Sequence, residues 1–230
     1  MEHLPYIEAS VAYANAEWKE KAEEALQSGE RLAPESKPEI GSKASRHANT
    51  SLHTVQIFDA RPRMAEWDLE ANGFCLRRWQ SSVSNFRDDG QVRTRYYKEM
   101  AEFVKKETGC QWVGVLPVRG GHILRTETPE DFNDAYSRYA HTDYNENMAT
   151  FGQRQDGVQH GTLRTILSEA NKTAGLTKEK ALALTYKWVN TWQPIENAVQ
   201  QDPLVILDPR TLEPSDLIEY RYDANKPKYV

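Results

Sequence analysis

The chain has 230 residues, of which 39% are hydrophobic and 10% aromatic, enough to bury one sizeable core. Its formal net charge of −5 and the lack of a long basic stripe argue against a nucleic-acid or anionic-membrane surface, because binding phosphates needs a concentrated basic face. No apolar stretch approaches the roughly 20 residues of a membrane-spanning helix, and the N-terminus lacks a secretory pattern, so we expect a cytoplasmic protein.

The N-terminal region is predicted to be a helix followed by a mobile linker. Residues 13–28, YANAEWKEKAEEALQS, combine strong helix formers with Glu-to-Lys neighbours one turn apart. Residues 29–51 are polar, interrupted by prolines and glycines, and show no period. We therefore divide the chain into an N-terminal helix and linker, residues 1–51, and a main domain, residues 52–230.

The main domain opens with a predicted strand and a predicted helix. LHTVQIFDAR, from Leu52, alternates apolar and polar residues with a period near two, as a strand does. Residues 91–108, QVRTRYYKEMAEFVKKET, space their apolar residues at helical intervals, and Gly109 is a natural C-terminal stop.

From Gln111 onward the sequence predicts short strands rich in β-branched and aromatic residues. They are bounded by Gly, Pro, Asn or Asp, and they lie in CQWVGVLPVRGGHILRTE, YSRYAHTDY, LTYKWVNTWQP, PLVILDP and DLIEYRYD. One helix interrupts them at residues 177–184, with Thr177 as its N-cap. The two cysteines, Cys75 and Cys110, lack zinc-type spacing, and we interpret them as buried thiols.

The tripeptide His141-Thr142-Asp143 presents a candidate metal pair. On a strand, residues i and i+2 point to the same face, so the imidazole and the carboxylate lie side by side. With one further histidine, this pair makes the facial arrangement that holds non-haem Fe(II) and leaves positions open. The alternative is chance, because two fixed residues arise often and a strand histidine is usually a satisfied polar group.

Longer stretches carry a resemblance to a known family. ANGFCLRRWQSSVSNFRDDGQVRTRYYKEMAEFVKKETGCQWVGV, then RYAHTDYN, then YKWVNTWQPIENAVQQDPLVILDPRTLEPSDLIEY resemble fungal and bacterial secondary-metabolism proteins described as gibberellin-desaturase-like, aspergillic-acid hydroxylase/desaturase-like or cephalosporin-methoxylase-related. The resemblance runs from about Phe58 to Tyr222. It implies a double-stranded β-helix (jelly-roll) fold, mainly β with flanking helices (α+β). It also implies a His-x-Asp pair that binds Fe(II) for 2-oxoglutarate-dependent oxidation.

The sequence departs from the family at two points. The family's third iron ligand is a histidine beyond the DLIEY segment, followed by a basic residue for 2-oxoglutarate, whereas here no histidine follows His160. His160 or His122 is an alternative third ligand, each weighed against an ordinary loop or surface position. Gln193 stands where the family usually has an arginine, which removes a cation that a carboxylate would pair with.

The strand count gives a matching expectation for the fold. Five or six strands follow Gln111, fewer than a closed eight-stranded jelly-roll needs, so we expect a core incomplete at its C-terminal end. Three explanations stay open: a homodimer that closes the barrel, a trimmed fold, or loss of oxygenase chemistry.

A small-molecule pocket is predicted on one later strand. Tyr186, Trp188, Asn190 and Trp192 alternate and would share a face next to Gln193, although indoles of this kind also fill barrel cores. Arg119 and Arg125 flank GGHIL and would suit an acidic ligand, or else are exposed strand-end arginines.

Together these features predict an oxidoreductase of secondary metabolism that uses Fe(II) and 2-oxoglutarate to hydroxylate or desaturate a small molecule. His141 and Asp143 would be its catalytic metal ligands. The alternative is a metal-free protein of the same fold that binds a small molecule or catalyses a non-redox isomerisation or cyclisation.

Overall fold

The structure, a computed structural model, describes residues 4–32, 48–115, 124, 139–142, 160–200 and 203–219, and for residues 160–164 it describes the backbone alone. The chain divides into two compact units. Unit 1 takes in Met1–Arg77, Ser137–Asp143 and Val205–Val230, and unit 2 takes in Arg78–Tyr136 and Tyr144–Leu204. The domain boundary predicted at residue 51 stays a prediction.

The sheet of unit 1 is an antiparallel pair of strands. β1, Tyr6–Ala14, pairs with β2, Thr50–Phe58, so that Tyr6 lies opposite Phe58 and Ala14 opposite Thr50. β2 confirms the strand predicted from Leu52. β1 was not predicted, although its apolar residues alternate with Glu8 and Ser10. Two strands alone are marginal in water, so this pair depends on what packs beside it.

Helix α1, Ala16–Ser28, supplies the core of unit 1. It begins three residues later than predicted, because Tyr13 and Ala14 complete β1 and the Asn15 side chain caps the helix by accepting from Trp18 N at 2.9 Å. Gly29 ends it in the left-handed region, at φ 73°. The buried residues of the core are Trp18, Ala22, Ala25 and Leu32, with Ala14 and Ile218 packed against them.

Short helices complete unit 1. They are a 3₁₀ helix at Arg61–Glu66, α2 at Leu69–Asn72, and 3₁₀ helices at Pro209–Thr211 and Pro214–Asp216. The Asp68 carboxylate caps α2 by accepting from Glu70 N and Ala71 N. Gly73 ends α2 at φ 72°, with Pro209 so close that a Cβ on this glycine would lie 3.2 Å from Pro209 Cγ.

Unit 2 contains a helical run that confirms the helix predicted at residues 91–108. It consists of α3, Asp89–Gln91, a π-helix, Val92–Tyr96, and α4, Tyr97–Thr108, and it ends at Gly109 with φ 66°. Val92 and Met100 face the interior. The sequence predicted the helix and its stop, but it did not predict the π-helical turn.

Two further helices of unit 2, α5 at His160–Ala174 and α6 at Lys178–Leu182, pack against each other. α6 confirms the predicted helix and its cap, since the Thr177 hydroxyl accepts from Lys180 N at 3.3 Å. α5 was not predicted, although apolar residues at 163, 166, 167 and 170 recur at helical spacing.

The later strands are corrected by the structure where it describes them. Residues 110–115, 184–194, 203–209 and 216–219 contain no hydrogen-bonded strand, and Tyr139 forms one parallel bridge to Ala12. β-propensity measures a fit to a pleated surface, and a strand forms only where its backbone finds a partner. The predicted mixture of helix and strand is confirmed, whereas the described residues show a small antiparallel sheet and no jelly-roll.

Among the described ranges, no helix is both long and apolar enough to cross a membrane.

Candidate functional site

The segment of His141 lies at the edge of β1 in unit 1. Ala140 N donates to Ala12 O at 2.9 Å, and Ala12 and Tyr139 form a parallel bridge. β2 pairs with the other edge of β1, so the segment of Tyr139 and Ala140 lies on the remaining edge, where it forms a single bridge to β1. The backbone just before His141 is therefore fixed by the N-terminal strand.

The His141 imidazole has a defined hydrogen-bonding state. Its Nδ1 lies 2.8 Å from Tyr139 O, and because a carbonyl oxygen only accepts, Nδ1 is the donor of this hydrogen bond. In the neutral form of the ring, the lone pair is then on Nε2. The Tyr139 ring stacks beside the imidazole, with centroids 6.0 Å apart and an interplanar angle of 7°. The residue is exposed to solvent.

This arrangement fits one ligand of a non-haem iron centre. Histidines that bind a metal typically donate their second ring N–H to a carbonyl or carboxylate, which fixes the tautomer and orients the ring. Tyr139 O takes that place here. Asp143 lies outside the described residues. Across the described ranges, no group of three or more His, Cys, Asp and Glu side chains could hold a metal ion.

His122 and His160 are the two histidines predicted as alternative third ligands. His122 lies outside the described residues, and so does the side chain of His160, whose backbone begins α5. Arg119 and Arg125 also lie outside the described residues. The roles predicted for all four stay predictions.

The predicted pocket segment, residues 186–193, belongs to unit 2 and is irregular rather than a strand. The Tyr186 hydroxyl donates to Ala181 O at 2.7 Å, and burial raises the pKa of the Tyr186 phenol. Trp188 and Gln193 are half-buried and Asn190 is exposed, while Trp192 exposes 46% of its surface. The shared strand face is therefore not present, and the binding role of these residues stays a prediction.

An aromatic cluster beside the helical run was missed by the sequence analysis. Tyr96 packs edge-on against Trp79, with ring centroids 5.9 Å apart, and against Phe86 at 5.2 Å. Trp79 also contacts Phe103 at 5.7 Å. Burial raises the pKa of the Tyr96 phenol, and a hydrogen bond shared with the Thr191 hydroxyl opposes that rise. In the sequence, the signal for this cluster is the high density of aromatic residues between positions 79 and 103. Their spacing follows neither a single helical period nor a single strand period.

An open groove of about 440 Å³ lies along one face of α4. Trp79 and Phe103 form its apolar part, and Glu99, Glu102 and Lys106 follow one another along the helix. Glu99 accepts from Ser81 Oγ at 2.5 Å and from Ser82 N at 3.1 Å, as well as from the Ser82 hydroxyl. These bonds lower the pKa of the Glu99 carboxyl and fasten the segment before α3 to the helix.

Comparisons with known proteins find a matching family model and relatives that are named as oxidoreductases or dioxygenases. Residues 18–229 match the family model described as the oxidoreductase/YMDC permease-like domain. The chain is 26% identical to "Oxidoreductase AN1597" of Emericella nidulans, over 72% of this chain and 52% of that protein. It is 27% identical to "Alpha-ketoglutarate-dependent dioxygenase tstK" of Talaromyces stipitatus, over 77% and 61%.

A third relative, "Fe(II)/2-oxoglutarate-dependent dioxygenase nvfI" of Aspergillus novofumigatus, is 25% identical over 74% of this chain and 55% of its own length. The chain therefore spans between half and two thirds of the length of these curated relatives. No solved structure matches the chain significantly.

Proposed function

Because the chain belongs to the family of oxidoreductase/YMDC permease-like domains, we propose that it is an Fe(II)/2-oxoglutarate-dependent oxygenase of secondary metabolism. Its substrate would be a small molecule that it hydroxylates or desaturates. The observation that carries the proposal is the likeness to relatives named as dioxygenases and hydroxylase/desaturases, which extends over about three quarters of the chain.

The residues proposed to hold iron are His141 and Asp143. Both lie inside the family match at residues 18–229, and the Nδ1 proton of His141 is already engaged by Tyr139 O, which supports binding through Nε2. When bound, Fe(II) would supply the site for 2-oxoglutarate and the activation of dioxygen. Tyr139 would keep the imidazole oriented, and the β1 edge would keep Tyr139 in place.

The proposal also includes the finer fold of the family. A double-stranded β-helix would require the stretches at 184–194 and 203–209 to pair as strands, and their β-branched and aromatic composition supports this. Tyr186, Trp188, Asn190, Trp192 and Gln193 are proposed to contact the substrate, as are Arg119 and Arg125. The homodimer and the cytoplasmic location stay predictions.

The activity is tested by following succinate formation from 2-oxoglutarate by mass spectrometry, with and without Fe(II), in the presence of a library of small organic molecules. We expect the wild type to form succinate only with Fe(II) and dioxygen. His141→Ala should form none, and the control His53→Ala, whose imidazole lies on β2 beside Ser51, should match the wild type. Binding of a library compound without succinate, iron or 2-oxoglutarate dependence would instead indicate the metal-free alternative.

A further inference from the structure

The two edges of the sheet in unit 1 differ in what lies beside them. The edge of β1 that faces away from β2 holds the segment of Tyr139 and Ala140, through the hydrogen bond from Ala140 N to Ala12 O. Within the described ranges, no strand and no isolated bridge lies on the outer edge of β2. The stretches at 184–194 and 203–209, which have strand composition, do not pair with it either.

The hydrogen bonds at the two ends of the sheet show which residues of β2 point to this outer edge. At one end, Asn15 N donates to Asn49 O at 3.1 Å. At the other end, Asp59 N donates to Pro5 O at 2.8 Å. In the register of this sheet, these bonds make the odd-numbered residues of β2 the hydrogen-bonded partners of β1. The even-numbered residues therefore direct their backbone N–H and C=O groups to the outer edge.

The outer edge of β2 lacks the features that usually keep a strand edge unpaired. Natural edge strands are very short, or they carry charged side chains, prolines or bulges. β2 has nine residues, TSLHTVQIF, with no charged residue or proline apart from one histidine that is neutral in its ordinary form near pH 7. Leu52 is 71% exposed, and Thr54 and Gln56 are exposed as well. A two-stranded sheet is marginal in water, so a further strand would stabilise it.

We propose that β2 of a second copy of this chain pairs antiparallel with β2 at this outer edge, about a two-fold axis at Thr54. Thr54 is the central residue of β2, so all nine residues of both strands overlap in this register. Thr54 then lies opposite its own symmetry mate, and Leu52 lies opposite Gln56 of the second copy. Threonine pairs hydrogen-bond across strands, and no like charges meet. This interaction surface does not depend on the proposed oxygenase activity.

The symmetry of this pairing ends the assembly at a dimer. A two-fold interface uses the same patch on both copies, so both outer edges of β2 are consumed when the two strands pair. The remaining edge of each sheet belongs to β1, where the Tyr139 segment already lies. The result is one four-stranded sheet shared by two copies, which is above the size at which sheets become stable.

Amide hydrogen exchange of the full chain, measured at about 1 and about 100 μM, tests the pairing directly. The amides of Val55 and Ile57 point to β1 and should be protected at both concentrations. The amides of Leu52, Thr54 and Gln56 should be protected only at the higher concentration, at which sedimentation should show a dimer. A wild type that stays monomeric would overturn the proposal. Protection of the even-numbered amides in a monomer would also overturn it, because another part of the same chain would then cover the edge.

A charge placed at the two-fold axis tests the register. Thr54→Lys sets two lysines opposite each other and should weaken dimerisation by about tenfold or more. Ser10→Lys is the matched control, because Ser10 is exposed and lies opposite Thr54 on β1, away from the outer edge of β2. It should change dimerisation by less than about twofold, the size of a surface substitution. A mixture of Thr54→Lys and Thr54→Glu should dimerise again, since opposite charges then meet at the axis.

Two results with the variants would contradict this register. One is an equal loss of dimerisation in Thr54→Lys and Ser10→Lys, which would mean that added charge acts without regard to the edge. The other is a mixture of the two Thr54 variants that stays monomeric. Far-UV circular dichroism at low concentration should match the wild type for every variant, so that unfolding is excluded as the cause. The exchange pattern of the wild type tests the edge without any substitution.

Discussion

The Glu99 carboxylate fastens an extended segment to helix α4 through Ser81 and Ser82. These hydrogen bonds favour the ionised form, so the pKa of Glu99 in the folded protein lies below its ordinary value of 4.5. A carboxyl with a lowered native pKa stabilises the fold above the pKa it has when unfolded, and that contribution is lost as the pH falls through the native pKa. Protonation of Glu99 at low pH is therefore expected to weaken the attachment of the Ser81–Ser82 segment to α4.

We predict that Glu99→Gln lowers the free energy of unfolding near neutral pH and that its difference from the wild type shrinks as the pH falls below about 4.5. Glu102→Gln, one turn along the same helix and without the serine contacts, is the control and should change little at any pH. Urea unfolding between pH 3 and 7 measures both. Parallel pH curves for wild type and Glu99→Gln would contradict this account.

Local chemistry was predictable at the residue scale, and distant contacts were not. The cap at Thr177 and the stop at Gly109 follow from side chain and conformation within a few positions. The Glu99 contact to Ser82 and the Tyr96 contact to Thr191 join separate stretches of sequence, and no local pattern encodes them. The Tyr139 carbonyl that orients His141 is a backbone group, which residue identity does not reveal.

At the scale of secondary-structure elements, two helix ends differ in a way that can be measured. Gly29 and Gly73 end α1 and α2 with nearly the same positive φ, 73° and 72°. A Cβ at position 29 would meet nothing within 4 Å, whereas one at position 73 would lie 3.2 Å from Pro209 Cγ. The pair therefore separates the conformational cost of a side chain from the cost of crowding.

We predict that Gly29→Ala costs about 1 kcal/mol of unfolding free energy, the usual penalty for a non-glycine residue in the left-handed region. Gly73→Ala should cost more, because alanine there also pushes against a proline ring that cannot rotate away. Denaturant titrations of both variants measure the difference. Equal costs would mean that the Pro209 segment moves aside without resistance.

Elements with local signals were predicted better than those that need partners. The helix at 91–108 and strand β2 were confirmed because each carries its own period and boundary residues. The stretches at 184–194 and 203–209 carry strand composition, but a strand requires a neighbour, and the structure pairs neither with one among the described residues. β1 was not predicted, and its partner β2 lies across a long intervening stretch of sequence that no local pattern spans.

For the whole molecule, the sequence predicted the family from motifs and could not predict the division into two units. The family match over residues 18–229 confirms the resemblance first seen around RYAHTDYN and YKWVNTWQP. His141 belongs to unit 1 and residues 186–193 belong to unit 2, a division that depends on long-range packing rather than on sequence order. The residues proposed to bind iron and those proposed to contact the substrate can therefore be tested separately.

The central claim is that this chain binds iron through His141. An anaerobic Fe(II) titration of the purified chain, with and without 2-oxoglutarate, tests it most directly, with His141→Ala as the variant and His53→Ala as the control. We predict that the wild type and His53→Ala bind about one iron and that 2-oxoglutarate tightens the binding. The Fe(II) affinity of His141→Ala should fall by more than the loss of about 10- to 100-fold that is typical when a residue that only supports a metal ligand is replaced. Equal iron binding by wild type and His141→Ala, or no saturable binding by the wild type, would contradict the claim.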